Sequence, residues 1–173
     1  MKRIIITFIL TLSLGFASAS LGADSVKLGC VDIQKVLINS DAGKVAKEQL
    51  AAKVNRYEGE KNSREEELKR LKAELEKQNV LLSEGARTAK EKDYQQKLKE
   101  YQRFMKDAQD DLQAKNDELT NHIVEEIVKL IQSYGRSNGY TFVFVRNDGM
   151  VFVDEKADLT DQILQAFNAS KKR

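Results

Sequence analysis

Residues 41–134 read DAGKVAKEQLAAKVNRYEGEKNSREEELKRLKAELEKQNVLLSEGARTAKEKDYQQKLKEYQRFMKDAQDDLQAKNDELTNHIVEEIVKLIQSY, and their reading decides the fold. Proline is absent from the whole chain, as long unbroken helices require. Apolar residues fall at Leu50, Val54, Tyr57, Leu68, Leu71 and Leu75. They resume at Tyr94, Leu98, Tyr101, Met105, Ala108, Leu112 and Leu119. Both series advance in steps of three and four, the seam of a coiled coil. Ser83-Glu84-Gly85 breaks the pattern between them, and the glycine supports a chain reversal. Folded there, the two seams face each other, with Leu75 opposite Tyr94, Leu71 opposite Leu98, Leu68 opposite Tyr101 and Tyr57 opposite Leu112. The expectation is an antiparallel helical-hairpin arm over 41–134, its tip at about 83–88, each helix ~60 to 70 Å long at ~1.5 Å per residue. Thr88 with Glu91 offers a capping box for the second helix. Gly59, inside the first, costs ~1 kcal/mol relative to Ala and marks a soft point. Lys61, Arg64, Lys115 and His122 occupy seam positions, which lowers arm stability.

Outward from the arm the pattern changes. Ile123, Val124, Ile127, Val128, Leu130 and Ile131 cover most of a helix surface, so the end of the arm from 123 belongs in a body. Residues 24–40 supply a first strand and a short helical turn, followed by an N-cap signal at Asn39-Ser40-Asp41. Residues 135–173 supply a strand over Tyr140–Arg146, a hairpin turn at Asp148-Gly149, a returning strand over Met150–Asp154 and a last helix capped by Asp158 or Thr160. Both faces of that strand hairpin are apolar, with Phe142, Phe144, Val151 and Val153 on the second. A body this small, with one cysteine and hence no internal disulfide, needs a partner for its second face. The fold class is α+β: a long arm on a small β-rich body that oligomerises through Phe142, Phe144, Val151 and Val153.

The N-terminus reads as an address. Lys2 and Arg3 precede an uncharged apolar run, Ile4–Phe16, and Ala17-Ser18-Ala19 is a small-x-small cleavage site. The thirteen-residue run is short for a bilayer span, which takes ~20. Residues 1–19 are therefore read as a cleaved signal peptide and the mature chain as secreted. With Lys2 and Arg3 gone, 27 basic residues face 27 acidic ones, which removes the electrostatic case for a nucleic-acid binder. Charge is unevenly placed all the same. Lys77, Arg87, Lys90 and Lys92 make the tip mildly basic, while 107–126 holds seven acids against Lys115.

Catalytic chemistry has little to work with. His122 is the only histidine and has Glu125 and Glu126 one turn on, a pattern read as surface pairing. Cys30 on a strand reads as a small buried apolar residue. No His/Cys cluster suggests a metal and no glycine loop suggests a phosphate, so neither an enzyme nor a cofactor is expected.

Several short stretches resemble the OmpH/Skp family of periplasmic chaperones. They are Gly-Cys-Val-Asp-Ile-Gln-Lys-Val-Leu at 29–37, Ser40-Asp41-Ala42-Gly43-Lys44, Leu81-Leu82-Ser83-Glu84-Gly85-Ala86-Arg87 at the tip, Gln102-Arg103-Phe104, and Asp158-Leu159-Thr160-Asp161. The likeness covers the mature chain. It implies a homotrimer whose bodies form a small central β-barrel. Three arms would enclose a cavity that holds unfolded outer-membrane β-barrel proteins without ATP. Apolar residues beside the seam, Val80, Leu81 and Phe104, are then candidate client contacts, and Lys77, Arg87, Lys90 and Lys92 could attract acidic clients or, weakly, anionic lipid. The competing reading is an envelope coiled-coil adaptor whose arms bind one specific partner.

Overall fold

The structure is a computed structural model that describes residues 26–78 and 83–171. The expected signal peptide therefore lies outside the described residues. Strand β1 (Leu28–Val31) leads into helix α1 (Ile33–Asn39), then α2 (Asp41–Gln78) and α3 (Glu84–Ser137) form the arm, and β2 (Phe142–Val145) and α4 (Thr160–Ser170) close the body.

Helices α2 and α3 have 38 and 54 residues, about 57 and 81 Å at ~1.5 Å per residue. The extra length of α3 is its lower end, which runs into the body. Ser83 is the N-cap of α3 and its Oγ accepts from Ala86 N at 3.4 Å. The expected capping box at Thr88 is thus displaced. Thr88 lies one turn inside the helix and its hydroxyl donates to the Glu84 carbonyl at 3.0 Å. Gly139, with φ +67°, takes the left-handed conformation just past α3.

The body's sheet corrects the expected strand hairpin. β2 pairs with β1, in parallel, with Leu28 opposite Phe142 and Val31 opposite Val145. Parallel strands need a crossover, and the whole arm is that crossover. The other edge of β1 receives the segment before α4: Cys30 N donates to the Ala157 carbonyl and Leu159 N to the Cys30 carbonyl, both at 2.8 Å. Asp148 and Gly149 do form a turn, but residues 151–154 pair with no strand among the described residues. They carry the β-branched composition of a strand while Val151 is 99 % and Phe152 82 % exposed.

Val31, Val36, Ile123, Ile127, Leu159, Ile163 and Phe167 make the core, one layer where α1, the base of α3 and α4 cover the sheet. Two serine and threonine hydroxyls knit its edges. Ser40, fully buried, donates to the Leu37 carbonyl and accepts from Gly43 N, each at 3.0 Å, so it closes α1 and opens α2 at once. Thr160 Oγ1 accepts from Asp32 N at 3.0 Å, and Asp158 Oδ1 accepts from Thr160 N at 2.9 Å. Gly43 is required where it stands, since a Cβ there would lie 1.8 Å from the Leu37 carbonyl oxygen.

Candidate functional site

Two surfaces are candidates: the arm, and the uncovered face of the sheet. Along the arm the helices meet through a half-buried seam edged with polar bridges. Near the tip Lys90 Nζ lies 2.9 Å from Glu74, and further down Lys97 lies 3.3 Å from Glu67. The Tyr101 hydroxyl donates to Glu65, which pushes the phenol's pKa up because the carboxylate holds its proton. Lower still, Asp111 lies 2.6 Å from Lys53 and accepts from the Tyr57 hydroxyl. These two donors hold the Asp111 carboxyl below the usual carboxylate range, Lys53 first and Tyr57 second.

These bridges place the helices about one turn away from the register expected by mirroring the seams. Tyr101, expected opposite Leu68, reaches Glu65, and Leu112 shares a groove with Val54 rather than facing Tyr57 alone. Phe104, expected beside the seam as a client contact, lies within it. Its ring meets Tyr57 edge-on at 5.9 Å, and the Arg64 guanidinium sits 4.5 Å above it. Met105, expected in the seam, is 37 % exposed. Arg64 is therefore no isolated charge in an apolar seam, since its planar group stacks on an aromatic face. Leu50, Val54, Leu68, Leu71, Leu75, Tyr94, Leu98 and Leu119 are all half-buried on the facing sides. Of the expected client contacts, Val80 and Leu81 lie outside the described residues. At the tip Lys77, Arg87 and Lys92 are exposed, while Lys90 is half-buried against Glu74.

Below Phe104 the seam is loosely filled. A groove of about 800 Å³ runs along one face of the hairpin, with Leu50, Val54, Met105 and Leu112 on its walls. At the foot of the arm His122 is largely exposed and lies 3.7 Å from Glu126, which also pairs with Lys171 beyond α4. That places the lone histidine in a surface cluster that ties α4 to α3.

The second surface is the outer face of the sheet. Phe142 and Phe144 are 56 % and 46 % exposed, and their rings stack at 6.0 Å. Leu28 is exposed beside Phe142, and Val151 and Phe152 project nearby in sequence. Val143, on the opposite face, packs on the core. Cys30 is buried with its thiol 3.5 Å from Met150 Sδ, and burial first, then the Asp158 charge, push the thiol's pKa up. Sequence reasoning missed Met150 as this cover, because only the 3-D path of the 147–150 turn brings it back over β1. Among the described residues no three or more His, Cys, Asp or Glu side chains gather as a metal site, and no helix is long and apolar enough to cross a membrane.

Comparison with known proteins agrees with this architecture. An uncharacterised protein of Aquifex aeolicus (strain VF5) is 30% identical over 141 residues, spanning 82% of this chain and 85% of that one. A crystal structure of an OmpH-like protein from Caulobacter crescentus CB15, described there as a candidate outer membrane chaperone, superposes with a TM-score of 0.78 over 84% of this chain and 85% of that chain, at 16% identity. That likeness establishes the arm-and-body α+β fold. Residues 27–167 match the family described as outer membrane protein (OmpH-like), nearly everything from β1 to the middle of α4, and the chain belongs to that family.

Proposed function

We propose that the chain is an ATP-independent holdase chaperone of the periplasm that shelters unfolded outer-membrane β-barrel proteins between its arms. The observation that carries this reading is the arm itself. Between residues 41 and 122 the only buried residue among those described is Ala108. An arm with so little interior offers long half-apolar sides and an open groove rather than an enclosed site. Weak, distributed contacts suit a protein that must release what it holds. The family membership and the relative described as a candidate chaperone support the same reading.

A homotrimer is part of the proposal. The stacked Phe142 and Phe144, with Leu28, Val151 and Val153, give a body apolar on the outside, which a single copy leaves exposed or half-exposed. The unpaired segment 151–154 has the composition to add a strand once bodies meet. Joined bodies would form a small barrel, with the arms pointing the same way around a cavity. Weak contact between the basic tip and anionic lipid fits Lys77, Arg87 and Lys92, all exposed.

Purified protein without nucleotide, at equimolar ratio to several unrelated unfolded β-barrel proteins, should suppress their aggregation. Suppression of none would favour the adaptor with one specific partner. Sedimentation at micromolar concentration should give three copies, and a monomer there would remove the cavity. Leu71→Glu with Leu98→Glu, at the half-buried seam of the outer arm, should fray the hairpin and weaken holding while the body stays trimeric.

A further inference from the structure

Two grooves lie on opposite faces of the arm at the same height. One is the apolar groove walled by Leu50, Val54 and Leu112. The other is polar, with Arg56, Arg64 and Arg103 among Glu60, Asp107 and Asp111. Tyr57, Phe104 and Ala108 line both. At this level Tyr57, Phe104 and Ala108 are thus the shared floor of both grooves, a thin waist with an apolar groove on one side and stacked arginines on the other. Ala108 brings almost no bulk, so the two aromatic rings in edge contact carry the packing.

A waist this thin depends on what fastens it. The Tyr57 hydroxyl donates to Asp111, and Lys53 Nζ lies 2.6 Å from the same Asp111 oxygen. Both donors are on α2 and the acceptor is on α3, so one carboxylate fastens the helices twice. Arg56, whose guanidinium lies 4.9 Å from the Tyr57 ring, adds charge of the right sign on the same side. Gly59, two residues past Tyr57, has open space where a side chain would be. It gives the α2 backbone freedom at this height. Above the waist, Leu68, Leu71, Leu75, Tyr94 and Leu98 are half-buried and ion pairs cross between the helices, and below it α3 enters the body.

We propose that Tyr57, Lys53 and Asp111 form a latch that holds the two helices together at this waist, and that its release lets them part locally while the outer arm and the body remain folded. The latch is a property of the arm and stands whether the protein holds many clients or one partner. If it holds many, local parting is how an arm changes its width without unfolding.

Amide hydrogen exchange on the full assembled protein tests this, with Tyr57→Phe, which keeps the ring and removes the donor, and Asp111→Asn. Exchange across residues 50–61 and 104–116 should quicken roughly tenfold in both variants. Residues 67–75 and 94–101 should keep the parent rates. Sodium chloride at about 0.5 M should open the waist of the parent in the same segments, because half-exposed ion pairs are screened, and should add little in Asp111→Asn. Unchanged exchange at the waist in both variants would overturn the latch. So would acceleration spread evenly along the arm, which would make Asp111 one ordinary surface partner among several.

Discussion

The body and the arm are built on opposite rules, although one helix, α3, belongs to both. In the body Ile127, Ile163, Val31 and Val36 are fully removed from water, and the hydroxyls of the buried Ser40 and Thr160 are both hydrogen-bonded. In the arm, leucines of the same size stay half-exposed because only two helices meet, and two helices cannot surround a side chain. Polar bridges take over the edges: Lys90 to Glu74, Tyr101 to Glu65, Lys53 to Asp111. Burial decides cooperativity, so the body is expected to set global stability and the arm to deform at small cost.

The largest test of this contrast exchanges equivalent truncations. Phe167→Ala, at a residue 2 % exposed, should cost about 3–5 kcal/mol and leave the assembled protein largely unfolded at physiological temperature. Leu71→Ala, half-buried in the arm, should cost about 1 kcal/mol or less, with the loss confined to arm exchange rates. Thermal unfolding at one fixed protein concentration compares them. Equal losses would mean that arm and body unfold as one unit. Gly43→Ala comes next. The added Cβ meets the Leu37 carbonyl at the joint between α1 and α2, where backbone, not a flexible side chain, must move. About 1–3 kcal/mol should be lost. An unchanged midpoint would show that the joint yields.

How far this division was legible in the sequence follows from the kinds of contact involved. The hairpin arm was readable because heptad spacing is a local signal, but the reversal was placed too late: Glu84 and Gly85, expected in the turn, stand in the first turn of α3 behind the Ser83 N-cap. The arm's register was not readable, since two heptad seams mirror equally well at several offsets, and the correct one shows only through cross-helix partners such as Tyr101 with Glu65. Phe104 was misplaced for the same reason: steps of three and four alternate, and adjacent apolar residues compete for one seam position, so Phe104 packs on Tyr57 while Met105 lines the groove beside it. The sheet was misread because β1 and β2 lie at opposite ends of the arm in sequence. Non-local parallel pairing leaves no periodic trace, whereas Asp148-Gly149 looks like a hairpin turn by itself. Strand alternation put Phe142 and Phe144 on the face expected to meet a partner, and they are exposed in the single chain, but so are Val145 and Phe152 from the other expected face.

A smaller effect, in the body, depends on pH. Burial raises the Asp158 pKa, but bonds from Thr160 and the charges of Arg146 and Lys35 outweigh it and leave the group below its usual range. A depressed folded pKa contributes stability above the ordinary carboxylate range and loses it as pH falls through the lower folded value. Asp158→Ala should therefore cost about 1 kcal/mol at pH 7, and the cost should shrink as pH falls from the ordinary carboxylate range through the lower folded value. Denaturant midpoints for both proteins across that range should converge on the acid side. A gap that stays constant would assign the loss to packing and not to the charge.

The smallest effect is a gain, and it bears on why the arm is soft where it is. Gly59 is an interior helical glycine with nothing within 4 Å of a would-be Cβ, so alanine fits without contact. Glycine in that position costs helix stability, and Gly59→Ala should add about 0.5–1 kcal/mol to the arm. Because the arm contributes little to global unfolding, the gain should be seen in slower exchange around residues 55–63 and hardly in the melting temperature. Combined with Asp111→Asn, the alanine should restore part of the protection that the lost latch removed, because both changes act on the same thin waist beside Tyr57. Residues in one contact network couple, and independent sites add. Strict additivity between Gly59→Ala and Asp111→Asn would mean that helix propensity and the latch act at separate places. The arm would then be uniformly pliant, and its softness would come from two-helix packing alone.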